Sequence, residues 1–260
     1  MKTKDFQCIN LQLQGDTFTE LYNSVQFEAI SSGRFGNHLV QENEDGIAIV
    51  RTTTQYTIPA GYFKPIHKYI TKCINDNITI GQETIHFNNA LIEVYESKYC
   101  KMNYHSDQAL DLDPYSYIAL FTCYENPDIL TELQLRKLKI KDKLSDKEFE
   151  IKLFHHSVVL FSVQANAKFK HKIVLDGRTQ NNNYTNNNRW LGITFRCSKT
   201  FINFHNQVPF FKTGEPLLQA NEEQAKEFYE LRSQENNRTS FIYPPINYTL
   251  CIADTLEPKN

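Results

Sequence analysis

The 260-residue chain reads as a mainly β protein, a sandwich or barrel with flanking helices. Three observations predict this. From residue 87 onward, short runs rich in β-branched and aromatic residues follow one another, separated by turn residues. Helix-period spacing is confined to one segment before those runs and one after them. A hydrophobic content of 40%, with 18 Phe and 14 Tyr, is enough for a sizeable core.

Residues 1–46 mix short apolar groups with turns at 31–37 and 42–46. Residues 46–57 (GIAIVRTTTQYT) read as extended chain, ended by Pro59. Residues 63–74 carry apolar groups at helical spacing, with Pro65 tolerated in the first turn. Strands are expected at 87–95, 98–104, 115–124, 133–140, 148–154, 157–163, 168–175 and 190–196. The Asn-rich stretch 180–188 is a polar loop. A second helix is expected at 221–236, with Ala225, Phe228, Tyr229 and Leu231 on its apolar side and acidic residues at its start.

The net charge of −2 argues against a strongly basic, non-specific nucleic-acid binder. The basic run 136–147 is interrupted by Asp142 and Asp146 and reads as a solvated face. The six cysteines lack CxxC spacing, which speaks for reduced thiols rather than a Cys-rich zinc site. No segment approaches the ~20 apolar residues that span a bilayer, and no signal peptide is evident. The expected location is therefore cytoplasmic or otherwise intracellular, with no membrane partner and a monomeric state.

The chemistry-bearing pattern is His105-Ser106-Asp107. On extended chain, residues i and i+2 face the same side, so both side chains can reach one ion. Two His and one carboxylate on one face suit non-haem Fe(II) and leave positions for a cosubstrate and oxygen. His155, His156, His171 and His205 are candidates for the third ligand. His155 and His156 fall at a turn, whereas His171 opens a strand, and a closed barrel can bring it to Asp107. Arg189 and Arg196 flank WLGITF and could grip an acidic cosubstrate bidentately.

Taken in order, these segments resemble the AlkB-like branch of the Fe(II)/2-oxoglutarate dioxygenases over roughly residues 47–200. FNNALIEVY resembles the family strand ending in Asn-x-Tyr, HSD its His-x-Asp, and DPYSYIALFTCY the strand that follows. SVVLFSVQANAKFKHKI resembles the strand pair carrying the distal His, ITFR the closing Thr-Phe-Arg, and IVRTTTQYT the substrate-side segment. The resemblance implies a double-stranded β-helix, or jelly roll, within a single domain 1–260. Residues 1–86 would be a substrate-side extension and helix, 87–205 the core, and 206–260 a C-terminal helix and tail. It implies His105, Asp107 and His171 as iron ligands, and 2-oxoglutarate held by Tyr95 and an Arg. The implied reaction is oxidative decarboxylation of 2-oxoglutarate with O2, coupled to hydroxylation or oxidative demethylation of a substrate.

Two departures stand out. Glu93 replaces the family's Asn, and since an ionised Glu beside a bound carboxylate would repel it, Glu93 must be protonated, turned away or paired. The family places two Arg six residues apart, but Arg189 and Arg196 are seven apart and fall on opposite strand faces. Anchored on Thr-Phe-Arg, Arg196 points inward and Trp190 takes the other Arg's place. Arg196 is thus expected to hold the distal carboxylate, assisted by Ser198 in an Arg-x-Ser pattern. Arg189 serves only if a bulge shifts the register. Arg51 and Tyr56 are the expected substrate contacts. The substrate could be an alkylated nucleic-acid base, a protein or a small molecule, and an inactive jelly-roll binding module is the remaining alternative.

Overall fold

The computed structural model describes residues 4–78, 84–100, 102–175 and 188–260. The chain opens with β1 (Phe6–Asn10), α1 (Thr17–Tyr22), β2 (Glu28–Ser31), β3 (Arg34–Val40), β4 (Glu42–Asn43), β5 (Gly46–Ala48), β6 (Gly61–Tyr62) and α2 (Pro65–Asn77). The central strands are β7 (Asn89–Tyr95), β8 (Tyr117–Tyr124), β9 (Lys137–Asp142), β10 (Glu148–Lys152) and β11 (Ser157–Ser162). A short α3 (Val163–Lys168) leads into β12 (Phe169–Val174), followed by β13 (Trp190–Arg196), β14 (Phe201–His205), β15 (Val208–Phe211) and β16 (Leu218–Gln219). The long helix α4 (Glu222–Asn237) and β17 (Tyr248–Thr249) complete the chain.

A large sheet runs β1-β11-β8-β13-β7-β3-β2, with β6 paired to β3, and a small sheet runs β10-β9-β12. Between β8 and β13 the chain passes from large sheet to small, back, to small and back again. This winding is a double-stranded β-helix, as the resemblance implied. Apart from β6, which runs parallel to β3, the neighbours in these two sheets are antiparallel.

The alternation along β13 shows how sequence sets the two faces. Leu191, Ile193 and Phe195 join the core behind the large sheet, where α1 and α2 contribute Phe18, Leu21, Ile70 and Ile74. Trp190 turns to the inner core with Tyr95, Leu120, Leu138, Phe161 and Ile173. On β12, Phe169 and Ile173 also face this inner core, so His171 shares their face while Lys170 and Lys172 take the other.

Gly192 marks a close approach. A Cβ at this position would come within 2.1 Å of the Trp190 indole. Gly192→Ala is therefore expected to cost about 1–3 kcal/mol through overpacking, read as a shifted urea midpoint. A neutral result would mean that Trp190 can swing clear at no cost.

Several expectations differ from the structure. Residues 98–100 and 102–104 form no strand, and a single bridge at His105 stands in its place. Of the extended run 46–57, only Gly46–Ala48 is a strand. The strand endings move by a few residues, and α3 interrupts the expected 157–175 pair. Residues 1–46 were given no elements, yet β1, α1, β2, β3 and β4 lie there, and β1 on one edge and β3 and β2 on the other extend the large sheet. Most of the Asn-rich loop, 180–187, lies outside the described residues. No helix among the described residues is long and apolar enough to cross a membrane.

Candidate metal centre and cosubstrate cavity

The three expected ligands converge. His105 and His171 exchange backbone hydrogen bonds, His105 N–H to His171 O at 3.0 Å and His171 N–H to His105 O at 2.6 Å. An antiparallel pair of this kind puts both side chains on one face, and the two ring centroids lie 4.7 Å apart. Asp107 follows two residues later, with Oδ1 3.4 Å from His171 Nε2. Ligand atoms of His105, Asp107 and His171 all lie within 4.8 Å of one another.

Two of the three donors are oriented by a neighbour outside the set. His105 Nδ1 lies 3.0 Å from the Asn103 carbonyl. A carbonyl only accepts, so the proton sits on Nδ1 and Nε2 keeps its lone pair for a metal. Burial, reinforced by the adjacent His171, pushes the His105 imidazole down to about 3, so it stays neutral. Burial alone would raise the Asp107 carboxyl. The Arg196 guanidinium and His171 more than offset this and hold it well below the usual carboxylate range. Arg196 Nε and Nη2 both donate to Asp107 Oδ2 at 2.8 Å, which leaves Oδ1 towards the histidines. The chemistry of this donor set fits a divalent iron ion: two imidazoles and one ionised carboxylate from one wall.

The loop carrying Asp107 is clamped from two sides. On α3, Asn166 accepts from the Asp107 amide at 2.8 Å and donates to its carbonyl at 2.7 Å. On α4, Asn236 Oδ1 accepts from the Ser106 amide at 2.9 Å, Glu235 Oε1 accepts from the Ala109 amide at 2.8 Å, and Arg232 donates to the Ser106 carbonyl. These supports were invisible in the sequence, where 221–236 reads only as an amphipathic helix. Asn236→Ala is expected to weaken metal binding on the order of 10-fold, the low end for loss of an outer-shell partner. Isothermal titration with Mn(II) checks this, and unchanged affinity would make the α4 contact incidental.

The centre opens into a cavity of about 540 Å³. Its polar wall includes Thr52, Thr53 and Thr54 from the expected substrate-side segment, with Tyr229 and Arg232 from α4. Tyr95 and Tyr99 also line it, with ring centroids 4.6 Å apart, and Trp190 packs against Tyr95 at 4.8 Å without lining the cavity. Arg34 and Glu93 also line the cavity. Arg34 Nε and Nη2 meet Glu93 Oε1 at 2.7 and 2.6 Å, and the Tyr95 hydroxyl donates to Glu93 Oε2 at 2.6 Å. Glu93 is thus paired, one of the three states its presence allowed. Arg34 was missed because it lies in the N-terminal stretch that showed no strand signal.

Of the other expected site residues, Arg196 lines the cavity, with Nε and Nη2 on Asp107, and the rest lie elsewhere. Ser198 donates from Oγ to the Ile49 carbonyl at 2.5 Å and accepts from the Thr200 amide at 3.0 Å; it does not line the cavity. Arg189 pairs with Glu125 through two bonds of 2.9 and 2.7 Å and stacks over Tyr22, away from the centre. Arg51 is buried, its guanidinium locked on Asp111 and on the carbonyls of Ile246 and Tyr248. It is not a cavity residue, because Val50 and Thr52 on either side of it turn inward instead. Tyr56 is fully buried against His38, with ring centroids 4.7 Å apart, and has no face free for a base.

His38, Cys251 and Asp254 form a second buried group of possible donors. Two of its members are already engaged: Thr249 Oγ1 donates to Asp254 Oδ2 at 2.6 Å, and Cys251 Sγ lies between the Tyr56 amide and carbonyl. The group reads as a polar staple between β3 and the C-terminal segment.

No family model and no curated protein matches the chain. Among solved structures, the chain is similar to OsALKBH1 at 10% identity and a TM-score of 0.46, over 76% of this chain and 98% of that one. It is also similar to a Pseudomonas putida prolyl-4-hydroxylase at 13% identity and a TM-score of 0.42, over 74% of this chain and 92% of that one.

Proposed function

We propose that this protein is an Fe(II)- and 2-oxoglutarate-dependent oxygenase of AlkB-like type, hydroxylating or oxidatively demethylating its substrate. The observation that carries the reading is the His105–Asp107–His171 donor set, presented from one wall of a cavity that also holds Arg196 and Tyr95. When bound, the iron and its cosubstrate supply the oxidising chemistry. The chain's own part is positioning and exclusion of water. Arg196 keeps Asp107 ionised and turned, Asn103 fixes the His105 tautomer, and the Asn166 and α4 contacts hold the loop between them. Tyr95 stays a phenol, since burial and Glu93 raise its hydroxyl well above the usual value, so it can only donate to an anion.

The substrate would enter past Thr52–Thr54 and Tyr229. An alkylated nucleic-acid base is one substrate class, but Arg51 and Tyr56, the residues expected to meet it, are spent on the fold. The same centre serves hydroxylation of a protein or small molecule equally well. The test is oxygen consumption by the Fe(II)-loaded protein on addition of 2-oxoglutarate, alone and then with methylated oligonucleotides or peptides. Consumption that needs both iron and 2-oxoglutarate is expected. A nucleic-acid substrate would add stimulation that falls steeply with salt. No consumption under any of these conditions would overturn the proposal.

A further inference from the structure

Resting on the oxygenase reading above, we propose that Arg34, together with Tyr95, is the anchor for the far carboxylate of the dicarboxylic cosubstrate. Glu93 is a carboxylate of the chain itself that occupies this seat and must be displaced.

The argument begins with strand register. Tyr95 at the end of β7 is paired directly with Trp190 on one side and directly with Arg34 on the other. The β13 neighbour of Tyr95 therefore offers an indole, and the β3 neighbour offers a guanidinium at the same level. Among the described residues, the arginines that line the cavity are Arg34, Arg196 and Arg232. Arg196 is held by Asp107, and Arg232 by Glu235 and the Ser106 carbonyl, both at the metal-loop end. Of the three, Arg34 is the one paired in register with Tyr95. A further guanidinium, Arg136, packs over Tyr95 and Trp190, but it donates to the Tyr99 and Glu96 carbonyls and does not line the cavity.

The second observation is the form of the Glu93 contact. Both Arg34 nitrogens meet one oxygen of Glu93, and the Tyr95 hydroxyl meets the other. A guanidinium on one oxygen and a phenol on the other is what the end of a dicarboxylate needs. Glu93 supplies that carboxylate intramolecularly, so it mimics and competes with the cosubstrate. A bound dianion without displacement would place a second carboxylate beside Glu93, which like-charge repulsion opposes. The pair is largely out of water, with side-chain exposures of 19% and 11%, so the competition is not screened away.

The experiment measures binding of 2-oxoglutarate and of 2-oxobutyrate, which has the same 2-oxo acid head but no far carboxylate, to Mn(II)-loaded protein by calorimetry. Arg34→Met should weaken 2-oxoglutarate binding by about tenfold or more, the scale of one lost charge-assisted hydrogen bond, and leave 2-oxobutyrate unchanged. Arg34→Lys should recover part of the difference. Glu93→Gln should tighten 2-oxoglutarate binding by removing the competitor, and this arm does not depend on how Arg34→Met folds. An unchanged ratio between the two acids in Arg34→Met would overturn Arg34 as the anchor. Weaker 2-oxoglutarate binding in Glu93→Gln would overturn Glu93 as a competitor. Wild-type protein that binds Mn(II) but neither acid would overturn the oxygenase reading and this inference together.

Discussion

His171→Ala is expected to abolish both iron binding and 2-oxoglutarate turnover, the largest functional effect of any single change considered. The ring is one of three donors, and its backbone also bridges to His105. Alanine keeps that bridge, so the loss is confined to the imidazole. A missing ligand should cost at least the ~10–100-fold that loss of an outer-shell partner costs. His105→Ala should behave in the same way. Asp107→Ala should match that loss and also lower stability, because it leaves the Arg196 guanidinium buried without its carboxylate. Fe(II) titration of each variant reads the effect. Iron affinity in His171→Ala equal to that of the wild type would show that the metal sits elsewhere.

Arg51→Met is expected to produce the largest loss of stability, about 3–5 kcal/mol, the usual cost of breaking a buried ion pair from one side. Arg51 Nη2 and Nε reach Asp111 Oδ1 and Oδ2 at 2.7 and 3.1 Å, and the Arg51 amide adds a bond of 2.7 Å to Oδ2. Its Nη1 donates to Ile246 and Tyr248 carbonyls, which ties the C-terminal segment to the wall that carries Thr52. Removing the guanidinium leaves Asp111 charged, buried and short of donors. Urea unfolding with unchanged slope and a lower midpoint is the expected signature. Turnover per folded molecule should be largely spared. Wild-type stability combined with weakened substrate coupling would return Arg51 to the substrate side.

What the sequence revealed and what it hid follow from the range of the forces involved. Strand β13 was legible to the residue because alternation with a buried face on each side leaves a strong period. The same parity separated Arg196 from Arg189, and the structure puts one at the cavity and the other on Glu125. The His-x-Asp pair was legible because its two candidate ligands are local. His171 needed the resemblance, since its approach to His105 depends on how the small sheet folds over the large one. The contacts that hold the centre could not be read. Asn166, Glu235 and Asn236 are ordinary polar residues until α3 and α4 dock them on the loop. Strand β3 was missed because RFGNHLV carries Arg, Gly, Asn and His where alternation was sought. That omission hid Arg34, the partner of Glu93. Arg51 was misread for the opposite reason: a lone Arg among threonines looks exposed, and only Asp111, 60 residues away, buries it.

The most direct measurement is succinate formation from 2-oxoglutarate by purified protein supplied with Fe(II) and O2, compared between wild type and His171→Ala. The expected result is succinate that requires added iron, disappears with a chelator and is absent from the variant. Succinate formed equally well by His171→Ala, or none from iron-loaded wild type that has bound 2-oxoglutarate, would contradict the assignment of this centre.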